Sequence, residues 1–192
     1  MNKLVSKFVD YLVVNRISCK EMREIHIYGF EVMTGKILSY GSLLMLSWIN
    51  RNILQTLVFM VIFFTLRSRS GGFHAKKFLH CYFGTVIMYF FVSKILVYIL
   101  LIYKSALLYV VVISIIIVFL FAPVNHPDLR LKDNEIQRCK NSARKLIIYI
   151  SICAIALEKL DIIPEYNCYA VAGIGINAGL LLTAKILNQE VR

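Results

Sequence analysis

Long apolar runs, separated by short polar stretches, are the feature that most constrains the fold of this chain. The runs cover residues 25–49, 53–66, 82–103, 106–122, 146–157 and 169–187. A helix of about 20 apolar residues crosses a bilayer core of about 30 Å and satisfies its own backbone hydrogen bonds there. With 59% hydrophobic and 17% charged residues, the chain is predicted to be an all-α integral membrane protein. We expect about six hydrophobic helices, some of them short or re-entrant.

The first 24 residues differ from the rest because they combine basic residues with an apolar stripe. Leu4, Phe8 and Leu12 recur at helical spacing, whereas Lys3 and Lys7 lie off that stripe. This pattern predicts an amphipathic helix that either lies on the membrane or packs on the protein's own cytoplasmic face. We therefore divide the chain into a basic amphipathic segment, 1–24, and a polytopic helical membrane domain, 25–192. The domain includes a polar stretch, 67–81, and a basic loop, 123–145.

The distribution of Lys and Arg predicts the orientation in the membrane. The basic residues number five in the first 23 residues, four in 67–81 and six in 123–145, whereas the connections between these segments carry only Arg51, Lys104 and Lys159. Basic connections stay in the cytoplasm, so both termini and the stretch 67–81 are expected there. The net charge of +11 is then explained by topology and an anionic lipid surface, and nucleic acid is not an expected partner.

The stretch 67–81 carries the residues of a thiol enzyme. Cys81 stands where the third apolar run begins, and a helix N-terminus favours a thiolate. The basic residues of the stretch are also expected to favour the thiolate form of Cys81; they are Arg67, Arg69, Lys76 and Lys77. His74 can serve as the general base, but in one continuous helix it would lie about 10.5 Å from Cys81 along the axis. We therefore predict a helix break between them, or a loop that folds His74 back. Gly71 and Gly72 permit such a loop and bring N–H groups to an oxyanion.

Two other interpretations of this stretch stay open on the residues alone. The first is a plain basic cytoplasmic loop. The second is a metal site of His74, His80 and Cys81, which has only three ligands and no second ligand pair. The five cysteines form no CxxC pair, so a zinc ribbon or thioredoxin-type site is not expected. No metal or cofactor is predicted.

The motif Arg67-x-x-x-Gly71-Gly72-Phe73-His74-Ala75, with Cys81 seven residues after the histidine, resembles the accessory gene regulator B (AgrB) family. Tyr28-Gly29-Phe30-Glu31 and Ala122-Pro123-Val124 follow the order expected of that family, and the resemblance covers nearly the whole chain. Members are bacterial membrane cysteine endopeptidases that mature autoinducing-peptide precursors. The resemblance implies a homodimer in the bacterial cell membrane, with an AgrD-like propeptide and the lipid bilayer as partners.

The resemblance also implies a mechanism. Cys81 attacks a carbonyl of the precursor with His74 as base, the C-terminal tail leaves, and a thioester forms on Cys81. An internal cysteine or serine of the precursor then closes a thiolactone or lactone ring. The competing function is a non-catalytic transporter or exporter of a signalling peptide. In that case transport would not depend on Cys81.

Supporting roles follow from the same resemblance, each with a simpler alternative. Glu31 stands where the family carries Glu or Gln and is expected to orient His74, or it is an interfacial glutamate. Arg67 matches a basic family position and is expected at the oxyanion or the acidic tail, or it is a topogenic anchor. The residues expected to bind substrate are Arg69, Lys76, Lys77, Arg130 and Lys132, the last two alternatively belonging to a solvated topogenic loop. Gly175 and Gly179 form a GxxxG pair that serves either intramolecular packing or a dimer interface.

Overall fold

The computed structural model describes residues 2–15, 19, 22–73, 78–124 and 133–188, and every regular element among them is helical. The helices are α1 (Asn2–Val14), α2 (Arg23–Ile49), α3 (Ile53–Ser70), α4 (Phe78–Phe91), α5 (Val97–Ile102), α6 (Lys104–Phe121), α7 (Asp133–Lys159) and α8 (Pro164–Ile186). A π-helical turn, Val92–Leu96, joins α4 to α5, so that these form one long helix.

Four helices in the described residues are long and apolar enough to cross a membrane. They are Ile53–Ser70, His80–Ile102, Lys104–Phe121 and Pro164–Ile186. The prediction of an all-helical membrane protein is therefore confirmed, whereas the count of about six spans is not, because the described residues contain four candidate spans. The helices α2 and α7 are not among the four.

The helix α3 is longer than its apolar run. The run 53–66 alone would span about 21 Å, but the helix continues to Ser70 and reaches about 27 Å. Two polar side chains of this last part bond back to their own helix, because Ser68 Oγ and Arg69 Nη1 both donate to the Thr65 carbonyl, at 2.9 and 3.0 Å.

The second half of the stretch 123–145 is helical, whereas the sequence analysis describes all of it as a loop. Helix α7 begins at Asp133 and continues into the apolar run. One buried stripe passes through Ala143, Ile147 and Ala154. Within the basic part, Arg144 Nη2 donates to the Phe119 carbonyl at 2.7 Å and so caps the end of α6. The stripe and this cap explain why a basic segment is helical.

Helix α8 lies at the centre of the bundle and packs on α3, α6 and α7. A Cβ at Gly173 would lie 3.4 Å from the Phe59 carbonyl oxygen, so this glycine lets α3 approach closely. A Cβ at Gly175 would lie 2.9 Å from Val110 Cγ1, and Gly175 therefore serves packing within the chain. A Cβ at Gly179 would have no heavy atom within 4 Å.

The bundle has two ends with different polar contacts. At one end Ser70 accepts a backbone hydrogen bond from Val124 and Leu180 accepts one from Phe73, each at 3.0 Å. We call residues 67–73, 81, 122–124 and 177–180 the motif end. At the other end Lys104 forms an ion pair with Asp161 at 2.7 Å. We call residues 50–56, 89, 103–104 and 158–169 the closed end.

Helix α1 packs against α2. Val9 is fully buried, and the Phe8 and Phe30 rings meet edge to face at 5.1 Å. Arg23 Nε donates to Asp10 Oδ1 at 2.7 Å. The first helix thus contacts the chain's own second helix.

Candidate active site

The break after α3 is built from two glycines in conformations that other residues rarely adopt. Gly71 has φ +70° and ψ −148°, and Gly72 has φ +134°. A Cβ at Gly71 would lie 2.5 Å from the Val124 carbonyl oxygen. Positive φ and this close backbone approach both require glycine. The chain therefore leaves the helix at Gly71, as the Gly-Gly pair suggests, and the next helix of the described residues begins at Phe78.

Helix α8 holds this turn from one side. Asn177 Nδ2 donates to Ser70 Oγ at 3.0 Å, Ser70 Oγ lies 3.3 Å from Asn177 Oδ1, and both residues are fully buried. Three residues after Ser70, Phe73 donates its N–H to the Leu180 carbonyl. Asn177 is not among the site residues predicted from the sequence. The signal that points to it is a single amide in an apolar span, because a buried polar group needs a partner.

Arg67 lies inside the turn. Its Nη2 donates to the Phe73 carbonyl, and the guanidinium lies 5.9 Å from the centre of the Phe63 ring. Its Nη1 is buried and finds no hydrogen-bond partner in the part of the chain that the structure describes. A Cβ at Gly72 would lie 2.8 Å from this Nη1. A cationic donor is thus held open beside the Gly72 backbone.

Cys81 occupies the first turn of α4, where backbone N–H groups lack helical partners. Its thiol is free and half-buried. The Arg67 guanidinium is close enough to Cys81 to interact with it electrostatically. The neighbouring Tyr82 is tied to α2 by a 2.7 Å hydrogen bond between its hydroxyl and that of Ser42. The structure therefore brings a cation and a free thiol together at the start of a helix.

The two glycines offer different backbone donors. The N–H of Gly71 donates to the Arg67 carbonyl at 3.0 Å and is committed to the end of α3. Among the described residues, the N–H of Gly72 donates to no carbonyl. Of the two glycines expected near an oxyanion, Gly72 is the one whose donor is available.

Several predicted site residues lie outside the described residues, namely His74, Lys76, Lys77, Arg130 and Lys132. The predicted contact between His74 and Cys81 lies there too. Glu31 is on α2, but its side chain is not described. Arg69 is described, and its guanidinium bonds to the Thr65 carbonyl of its own helix. Within the described residues, no three His, Cys, Asp or Glu side chains form a cluster that could hold a metal ion.

These features define a helical membrane protein with a free cysteine and a half-buried arginine at a glycine turn. A family model, described as accessory gene regulator B, matches residues 5–183. The chain belongs to this family, as its motif indicated, and membership connects it with the accessory gene regulator quorum-sensing system and the processing of AgrD propeptides. No curated protein and no solved structure matches the chain.

Proposed function

We propose that this protein is a cysteine endopeptidase that removes the C-terminal tail of an AgrD-like propeptide and allows the remainder to cyclise. The observation that carries the proposal is the glycine turn, which holds Arg67 Nη1 beside Gly72 with no partner among the described residues and precedes the free thiol of Cys81 in the first turn of α4. Family membership supports the substrate class.

In the proposed first step, Cys81 Sγ attacks the scissile carbonyl carbon while His74 accepts the thiol proton. The negative charge that develops on the carbonyl oxygen meets Arg67 Nη1 and the Gly72 N–H, which have no acceptor among the described residues. His74 then gives its proton to the amine of the departing tail. The product is a thioester between Cys81 and the new C-terminus of the precursor.

In the second step, an internal cysteine or serine of the precursor gives its proton to His74 and attacks the thioester, and Cys81 leaves as the thiolate. Exchange of one thioester for another changes the free energy little, so water has to be excluded and the nucleophile held close. The turn fits this demand because Phe73 bonds to Leu180, six residues before α8 ends at Ile186. Six helical residues rise about 9 Å, so the turn is recessed by that amount below the end of α8.

Charged residues around the turn have supporting roles in this proposal. Glu31 orients His74, and the basic residues attract the acidic tail of the propeptide. The basic set comprises Arg69, Lys76, Lys77, Arg130 and Lys132. In the described part of this set, Arg69 bonds to Thr65 in its own helix, so its contribution to the tail is electrostatic.

For the membrane arrangement we propose six spans, with both termini and the motif end in the cytoplasm and α1 at the membrane surface. Two observations support it. The single basic residues of the charge-poor connections lie at or beside the closed end, namely Arg51, Lys104 and Lys159, and the described residues 67–73 lie at the opposite end. Labelling by a membrane-impermeant thiol reagent tests it. A cysteine introduced at Arg51 should react from outside intact cells, and reaction only after lysis would contradict the orientation.

We also propose a homodimer, with the exposed face of α8 around Gly179 as the contact. A Cβ at Gly179 would have open space around it, so a second helix can approach there. Cross-linking through a cysteine at Thr183, one turn further along the same face, should give dimers at low expression levels. Cross-links that appear only at high expression would contradict this contact.

The decisive experiment measures cleavage of an AgrD-like peptide by protein in bilayers. Cys81→Ala and His74→Ala are each expected to abolish cleavage while the protein still inserts. Cys139→Ala is the matched control, because Cys139 is also a free, half-buried thiol, and it should cleave normally. Mass spectrometry should find the truncated precursor bound to Cys81. If Cys81→Ala cleaves at the wild-type rate, the proposal is wrong and a transporter becomes the better interpretation.

A further inference from the structure

The glycine turn is joined to α8 on both of its sides. Before the turn, the side chains of Ser70 and Asn177 exchange hydrogen bonds at 3.0 and 3.3 Å. After the turn, Phe73 N–H bonds to the Leu180 carbonyl at 3.0 Å. The second bond uses main-chain atoms and is open to many sequences. The first depends on a particular amide and a particular hydroxyl, so it is the sequence-specific connection of the turn to α8.

Both partners of that connection are fully buried. A buried amide or hydroxyl is costly unless it is bonded, so each residue depends on the other. The Ser70 carbonyl also accepts the N–H of Val124. Four polar groups therefore meet where α3 ends, and Asn177 is the member that comes from a different helix than the turn itself.

The position of Ser70 determines the position of Arg67, since the two lie three residues apart on the last turn of α3. Arg67 in turn bonds across the turn to the Phe73 carbonyl and places Nη1 beside Gly72, and its charge acts on Cys81. A shift of Ser70 away from α8 would move the guanidinium relative to Gly72 and to the first turn of α4. Displacements of about 1 Å in such arrangements lower rates by about 100-fold.

We propose that Asn177 of α8 is a positioning residue for the Arg67–Cys81 pair and acts through Ser70. This rests on the proposed function for its effect on cleavage, but its effect on the thiol is measurable without substrate. Asn177 touches no reacting atom. It holds the end of α3 against α8, so that the guanidinium stays beside the thiol.

The test compares Asn177→Leu with Asn167→Leu in the full-length protein in bilayers. Asn167 is a matched control because it is a second buried asparagine of α8, bonded at 3.0 Å to the Ala154 carbonyl near the closed end. Two readouts are used, namely kcat and KM for an AgrD-like peptide and the rate of Cys81 alkylation by iodoacetamide, followed by mass spectrometry. Asn177→Leu should lower kcat about 100-fold with KM changed less than about threefold, and alkylate Cys81 at least about fivefold more slowly. Asn167→Leu should leave both within about threefold of wild type.

Ser70 variants keep the test informative if Asn177→Leu fails to insert. Ser70→Ala should reproduce the loss, whereas Ser70→Thr keeps the hydroxyl and should retain most of the rate. The double variant Ser70→Ala with Asn177→Leu should lose no more than either single variant, because all three remove one interaction. Equal losses in Asn177→Leu and Asn167→Leu would mean a merely structural role and overturn the proposal. Unchanged alkylation in Asn177→Leu and Ser70→Ala would overturn it too, and this outcome does not depend on whether Cys81→Ala abolishes cleavage.

Discussion

The two ends of the helix bundle solve the problem of buried polar groups differently. At the closed end, Asn52 Nδ2 donates to the Tyr169 hydroxyl at 2.6 Å, Thr56 Oγ1 donates to the Asn52 carbonyl at 2.8 Å, and the hydroxyls of Thr56 and Tyr89 share a hydrogen bond. Every side chain of this network has a partner within it. At the motif end, the cationic donor Arg67 Nη1 is buried with no partner among the described residues, whereas the corresponding open atom at the closed end is a neutral acceptor, Asn167 Oδ1.

Under the proposed function, this difference separates contacts that only stabilise the bundle from contacts that also serve the reaction. A network in which the hydroxyls and the amide bond to one another fixes the positions of the helices and leaves no donor or acceptor for a ligand. An open cationic donor, in contrast, costs stability and persists where a site uses it. The difference predicts that substitutions at the two ends have different consequences. Changes at the motif end should affect chemistry, and changes at the closed end should affect stability alone.

The largest effect is expected for Gly71→Ala. The new Cβ would meet the Val124 carbonyl oxygen at 2.5 Å, and the conformation at Gly71 costs other residues about 1–3 kcal/mol by itself. The turn should move, with loss of detectable cleavage and a lower melting temperature. Gly41→Ala is the control, because its Cβ meets nothing within 4 Å in the middle of α2. It should stabilise the protein by up to about 1 kcal/mol. Normal cleavage by Gly71→Ala would show that the turn geometry is not required.

A smaller loss is expected for Arg67→Lys. Lysine keeps the charge but has a single point of contact, whereas Arg67 bonds to the Phe73 carbonyl and holds Nη1 open at the same time. Loss of one oxyanion donor lowers kcat by about 100-fold to 1000-fold. Steady-state kinetics should show this decrease in kcat, and Arg51→Lys near the closed end should leave the rate unchanged. If Arg67→Lys cleaves at the wild-type rate, the charge of Arg67 matters and the geometry of its donors does not.

The two ends were also unequally predictable from the sequence. Apolar runs and glycines are local signals in the sequence. They predict the membrane class, the helix breaks near Arg51 and at Gly71, and the start of α4 near Cys81. The Ser70–Asn177 pair joins residues 107 positions apart, and no local pattern specifies such a partner. The same limit applies to the closed end, where Asn52 and Tyr169 are 117 positions apart. The first turns of α7 are not predicted as helix, because their charged residues are typical of a loop. The hydrogen bond from Arg144 to the Phe119 carbonyl, which caps α6, is visible only in the structure.

Tyr169→Phe tests the closed end and should have a moderate effect on stability only. It removes the hydroxyl that accepts the hydrogen bond from Asn52. Hydrogen bonds between membrane helices contribute about 0.6 kcal/mol on average and up to about 1.7 kcal/mol. Unfolding in a denaturing detergent should report a loss in this range, with kcat within about twofold of wild type. A loss of kcat without a loss of stability would mean that the closed end takes part in the reaction.

The smallest effect concerns the ion pair that joins α1 to α2, away from the contacts that define either end. Arg23 donates a hydrogen bond to Asp10, which holds the pKa of the Asp10 carboxyl below its ordinary value, and both side chains are largely exposed. The stabilisation is therefore present above the unfolded pKa of about 3.9 and is lost as the pH falls through the lower folded value. Hydrogen exchange of α1 amides, compared between wild type and Asp10→Asn, should differ slightly at pH 6 and converge near pH 2. The difference should also shrink in 1 M salt, because exposed pairs are screened. Equal exchange at pH 6 would mean that the buried Val9 and the Phe8–Phe30 ring contact hold α1 without the ion pair.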